Sequence, residues 1–183
     1  MLQVCLSNYG KYTEGYDVSK WITLPFSERE LTDTLVNIGV GYYSQNGEYV
    51  SGFEENGVHY ESIFIKDYDS DLPLSLGEFE DVYELNAFAQ YCSQLDKEEY
   101  NALHALMISE DTWKEAWEVH KSGDYTYVEH VRTLGDLGRY VAQEYLYDQP
   151  VPESLAPYIN FEAIGNDWTH YGTLTDIGYI RRI

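Results

Sequence analysis

Residues 61–129 read ESIFIKDYDSDLPLSLGEFEDVYELNAFAQYCSQLDKEEYNALHALMISEDTWKEAWEVHKSGDYTYVE. The stretch holds seventeen carboxylates: Glu61, Asp67, Asp69, Asp71, Glu78, Glu80, Asp81, Glu84, Asp96, Glu98, Glu99, Glu110, Asp111, Glu115, Glu118, Asp124 and Glu129. Against them stand only Lys66, Lys97, Lys114 and Lys121, so about −13 of the chain's net −21 lies here. A disordered acidic segment would be poor in apolar residues. These acids are instead interleaved with Tyr83, Leu85, Phe88, Tyr91, Leu95, Leu103, Leu106, Met107, Trp113 and Trp117. From Val82 the apolar positions recur at steps of three and four through Leu85, Phe88, Ala89, Cys92 and Leu95, the period of a helix with one buried face. Ser75 with Glu78, and Asp96 with Glu99, have capping-box spacing. Ser109 stands before a further helix with Trp113, Ala116 and Trp117, ending near Ser122-Gly123. The stretch predicts a helical domain over 75–123 that turns its charges outward. It is preceded by an acidic, turn-rich linker, Asp67–Pro73.

Working outward, the flanks read as α+β. Leu2–Ser7 and Val18–Leu24 are strand candidates, joined through the loop GKYTEG as a hairpin. Ser27 and Glu30 form another capping box, before a helix over 28–38 with Leu31, Leu35 and Ile38 on one face. Gly39–Gly57 reads as loop or hairpin with a weak strand near Tyr49, and Val58–Ile65 as a strong strand. On the C-terminal side, Tyr125–Val131 predicts a strand and Leu134–Leu146 a helix that Pro150 and Pro152 stop. Glu153–Ile159 predicts a short helical turn, and Trp168–Leu174 with Ile177–Ile180 a terminal hairpin. The expected organisation is three small domains: 1–74 (α+β), 75–123 (helical) and 124–183 (α+β).

Composition narrows the function classes. Apolar content of 44% and nineteen tyrosines provide for small cores, since tyrosine packs its ring while keeping a wet polar tip. Cys5 and Cys92 set no disulfide framework and no zinc spacing, so a reduced cytoplasmic protein is expected. No run approaches the eighteen apolar residues of a membrane span. A net charge of −21 exceeds what solubility needs and strains the compact state by self-repulsion. It points to a basic partner, with a merely solvated acidic surface as the plain alternative. Nucleic acid is a poor direct partner, because its phosphates would be repelled.

The chemistry-bearing patterns are weak. Asp67, Asp69, Asp71 and Glu78 have the 1, 3, 5, 12 spacing of a calcium loop. However, Leu72 stands where that loop needs glycine, and the preceding segment reads as a strand. The five histidines, at 59, 104, 120, 130 and 170, make no metal-binding pair. There is no phosphate-cradling glycine motif and no nucleophile elbow. No cofactor and no metal are expected, and no enzyme activity. The rival readings are a general acidic or calcium-responsive adaptor and a carboxylate-based hydrolase, which would need acids in an apolar pocket.

The charge itself admits a specific functional form. B-DNA carries one negative charge per roughly 1.7 Å of axis. A net −21 would match roughly 36 Å of duplex, about ten base pairs. Carboxylates held outside rigid helices would then present a phosphate-like pattern to a DNA-binding groove.

Three further segments carry a family resemblance. NYGKYTEG at residues 8–15, with KWITLP at 20–25, resembles the opening of the ArdA antirestriction proteins. Asp67-Tyr68, Leu72-Pro73 and Glu84-Leu85-Asn86 resemble that family's entry into its middle domain. VPESLAPYINFEAIGND at 151–167 is similar to its C-terminal signature, with Asn160 in place of an acid and Asn166 in place of arginine. Gly39–Gly57 looks like an insertion relative to shorter members. The resemblance implies a homodimeric mimic of DNA, carried on mobile genetic elements, that occupies the DNA groove of type I restriction-modification enzymes. It implies an elongated monomer whose third domain makes the dimer contact. Tyr147–Phe161 matches what the family calls its antirestriction motif. The apolar residues there, Tyr147, Val151, Pro152, Leu155, Tyr158, Ile159 and Phe161, fit a dimer seam.

Overall fold

Strand β1 (Leu2–Asn8) is almost continuously buried, with Val4, Leu6, Ser7 and Asn8 fully enclosed. An apolar run covered on both faces belongs in the middle of a sheet. The computed structural model, which describes residues 1–146 and 151–183, places it there. The chain forms two compact units, Met1–Gln94 and Leu95–Ile183, each mixing helices and strands.

In the first unit, β1 leads into a short helix α1 (Tyr9–Thr13) and then β2 (Ser19–Leu24). β2 pairs antiparallel with β1 from Leu2↔Leu24 to Ser7↔Ser19, the hairpin expected from sequence. The loop GKYTEG that joins them carries most of α1. Asn8 caps α1, its side chain accepting from the Lys11 amide. The Ser27–Glu30 capping box forms and starts α2 (Glu28–Asn37). The 39–57 region is two hairpins, β3 (Gly41–Tyr43) with β4 (Tyr49–Ser51), and β5 (Phe53–Glu55) with β6 (Val58–Tyr60). The second turns at Asn56 and Gly57, with φ of 53° and 80°, which the tight turn of a two-residue hairpin requires.

Two predictions fail at the next strand. Val58–Ile65 is not one strand: it breaks after Tyr60, and β7 (Ile63–Ser70) begins anew and pairs with β1. Asp67–Pro73 is not a linker, because Asp67–Ser70 belong to β7. The backbone ladder along β1 outweighs the poor strand propensity of aspartate. The sheet order is β2-β1-β7.

Residues 71–81 run irregularly beside β7, held where the Ile65 amide donates to the Glu78 carbonyl (2.7 Å) and the Tyr68 hydroxyl to the Leu74 carbonyl (3.0 Å). Helix α3 (Val82–Cys92) starts under Asp81, not after Ser75 as its spacing with Glu78 predicted. Asn86 on α3 fastens it to the chain after β2. Its side chain accepts from the Phe26 amide (2.7 Å) and donates to the Phe26 carbonyl (3.1 Å).

In the second unit, the Asp96–Glu99 capping box starts α4 (Lys97–Ser109) as predicted. Helix α5 (Trp113–Ser122) is capped by Thr112 rather than Ser109 and closes on Gly123 in the left-handed region. β8 (Tyr125–Val128) is shorter than expected, and α6 (Leu134–Val141) passes into a π turn over Ala142–Leu146. A 3-10 turn at Ala156–Tyr158 precedes α7 (Phe161–Trp168), which sequence reading did not foresee. β9 (Thr173–Leu174) and β10 (Tyr179–Arg182) form the terminal hairpin, without Trp168, which ends α7. β10 also pairs with β8, giving the order β8-β10-β9. Val131, Leu137, Val141 and Tyr179 form a core against which Ile164, Trp168 and Leu174 pack. Helices α6 and α7 meet backbone to backbone at two glycines. A methyl on Gly138 would lie 1.8 Å from the Phe161 carbonyl oxygen, and one on Gly165 2.0 Å from that of Leu134.

Candidate acidic interaction surface

None of the seventeen acids is buried. Glu80, Glu84, Glu110 and Glu129 are half-buried and the others exposed. In the first unit, a β-bulge decides the direction of two of them. Leu6 pairs with Ile65 but Cys5 pairs with Asp67, so Lys66 is the extra residue. Cross-strand partners share a face of the sheet. Asp67 and Asp69 therefore lie on the face of Cys5 and Gln3. Without the bulge Asp67 would oppose Val4, which is fully buried. Lys66 itself pairs with Asp17 and Asp71 with the chain's terminal amine. Glu61 lies 3.4 Å from the His59 ring nitrogen Nε2. Asp81 caps α3, accepting from the amides of Tyr83 (2.8 Å) and Glu84 (3.3 Å).

The second unit repeats the pattern at helix starts. Asp96 accepts from the Glu99 amide and Glu99 from the Asp96 amide, both at 2.9 Å. Glu98 and Glu99 occupy the first turn of α4, and Glu115 that of α5. Acids there interact favourably with the positive end of the helix. Glu118 pairs with Lys121 (2.6 Å) and Glu129 accepts from Asn101 Nδ2 (3.2 Å). Glu110 is held against its own unit. Its side chain is 11% exposed and its Oε2 is 3.2 Å from the Arg182 guanidinium. Asp111 and Asp124 are exposed. His120 is buried behind these helices, its Nε2–H donating to the Glu99 carbonyl (2.9 Å). Burial pushes its pKa below the ordinary value.

Asp67 and Asp69 stand in a strand ladder, so the calcium-like spacing over 67–78 is not wound as a loop. Among the described residues, no three His, Cys, Asp or Glu side chains are grouped to hold a metal, and no helix is long and apolar enough to cross a membrane.

The expected dimer-seam residues divide. Leu155 and Tyr158 are exposed, Tyr158 at 86%. Pro152 is exposed, and Val151 and Ile159 are half-buried. Phe161 is buried in its own unit, with the Arg139 guanidinium 5.2 Å from its ring centre. Tyr147 lies outside the described residues. Sequence reading missed the Asn8 and Asn86 clamps, because a side-chain amide bonded to distant backbone has no periodic signature. It also missed an exposed aromatic face around Phe79.

A family model described as antirestriction protein (ArdA) matches residues 4–181. No curated protein matches the chain.

Proposed function

The chain belongs to the ArdA antirestriction family, and from that premise we propose that it is an acidic mimic of B-DNA. It binds the DNA groove of a type I restriction-modification enzyme in the cytoplasm and displaces DNA by competition, with no bond-making step. The observation that carries this reading is that all seventeen acids keep solvent access while several are fixed by strands, caps and first turns. Anchored carboxylates cost less entropy to align with a row of cationic side chains than mobile ones would. The surrogates for phosphate are the seventeen acids from Glu61 to Glu129. Asp71, Glu110 and Glu118 contribute less, because the terminal amine, Arg182 and Lys121 already sit against them.

Three small domains in a row, 1–74, 75–123 and 124–183, and a homodimer belong to the same proposal. Leu155 and Tyr158 would lead the dimer contact, with Val151, Pro152 and Ile159 beside them. Limited proteolysis tests the first and sedimentation the second.

The deciding experiment is competition. Added to a type I methyltransferase core bound to duplex DNA, the protein should displace the DNA at a near-stoichiometric ratio. DNA that stays bound under a large excess of protein would refute the mimic.

A further inference from the structure

Phe79 stands between Glu78 and Glu80, with Asp81 following, and is 67% exposed. It is not a loose side chain. Its ring meets Tyr9 edge-on (5.6 Å between centres, 74°) and lies 6.4 Å from Phe64. Phe64 is buried and touches Tyr9 (5.9 Å) and Tyr12 (4.9 Å). The backbone is pinned beside it, where the Glu78 carbonyl accepts from Ile65. Tyr9 and Tyr12 are 41% and 51% exposed, so three rings present faces or edges to solvent, and Glu78, Glu80 and Asp81 flank Phe79 along the chain. A fixed aromatic group that its own unit leaves uncovered is the composition of an interaction hot spot.

Its occupant must satisfy both the rings and the carboxylates. A nucleobase would stack, but its phosphates would be repelled by Glu78, Glu80 and Asp81. A lysine ammonium is compact and strongly hydrated. A guanidinium is planar and weakly hydrated, stacks on aromatic faces and forks onto carboxylates. Two of the chain's own arginines already sit this way, Arg139 over Phe161 (5.2 Å) and Arg181 over Tyr145 (5.3 Å). We infer that the Tyr9–Tyr12–Phe79 face is a docking site for arginine side chains of a basic protein partner. The inference rests on the proposed function only for the partner's identity.

Calorimetry on the full chain with nona-arginine and nona-lysine peptides tests it. The wild type should bind the arginine peptide about tenfold more tightly. Phe79→Ala should lower arginine-peptide affinity about five- to tenfold and change lysine-peptide affinity less than about twofold. Its melting temperature should hold, because the ring is exposed. Phe79→Leu keeps apolar area but not the π face, and should resemble the alanine variant. Unchanged arginine affinity in either variant overturns the inference. In the DNA-displacement assay, Phe79→Ala should need several-fold more protein; displacement equal to wild type would remove the face from the enzyme contact. A wild-type chain that keeps its arginine preference yet displaces no DNA would instead retire the proposed function and leave this face standing.

Discussion

At Asn8 a fully buried amide joins three parts of the first unit. Its Oδ1 accepts from the Lys11 amide (3.0 Å), and its Nδ2 donates to the carbonyls of Ile38 and Gly39, both at 3.0 Å. One side chain thus starts α1 and receives the end of α2. Asn8→Ala should lose the cap and leave buried carbonyls unpaired, lowering stability by about 2–4 kcal/mol in urea titration. Asn8→Asp would keep the cap but set a carboxylate against the two carbonyls, and should cost at least as much. Stability equal to wild type in the aspartate variant would show that Nδ2 does not carry the joint. None of this was legible beforehand. The segment NYG reads as a turn because asparagine and glycine favour turns, and burial of the amide depends on chain thirty residues away. Capping boxes are different. Ser27–Glu30 and Asp96–Glu99 close within one helical turn, so their signal is local, although Ser75–Glu78 has the same spacing and starts no helix.

Among elements, α6 and α7 pack backbone on backbone at Gly138 and Gly165. Gly138→Ala must push the Phe161 carbonyl aside and should destabilise the second unit by about 2–3 kcal/mol or more, read from its thermal unfolding. A variant that melts with the wild type would mean the helices can part without cost. The pair also explains why α7 escaped prediction. Phe161–Trp168 is short and has glycine and asparagine inside, both poor helix formers. It is held by the close contact with Gly138 and by Ile164 and Trp168 packing on the core, more than by helix propensity. β7 escaped for a related reason. Its aspartates signal a turn, and only the paired β1 and the bulge at Lys66 make them a strand. The helices α2 to α6 were legible to within a few residues because each has its own apolar period, and their starts shifted only where a nearer capping residue, Asp81 or Thr112, competed with Ser75 or Ser109.

For the whole molecule, the charge is spread over many exposed positions, and exposed pairs are individually weak. Single Asp→Asn or Glu→Gln changes among the seventeen should alter inhibition less than about fivefold. Neutralising about ten between Asp67 and Glu118 should weaken it by orders of magnitude, and affinity for the enzyme should fall as salt rises, as DNA's does. A single substitution that abolishes inhibition would point to one dominant contact instead. The helix caps add a consequence for the charge itself. Asp81 and Asp96 hold the starts of α3 and α4 through one acceptor oxygen each. Asparagine offers the same oxygen and caps equally well. Folding therefore demands an acceptor at these positions and gains only a modest further amount from its charge at the helix start. In a chain already straining under −21, asparagine would be the less repulsive choice at both. Changing both to asparagine would therefore take two charges off the surface while leaving both helix starts capped, which separates the charge from the fold.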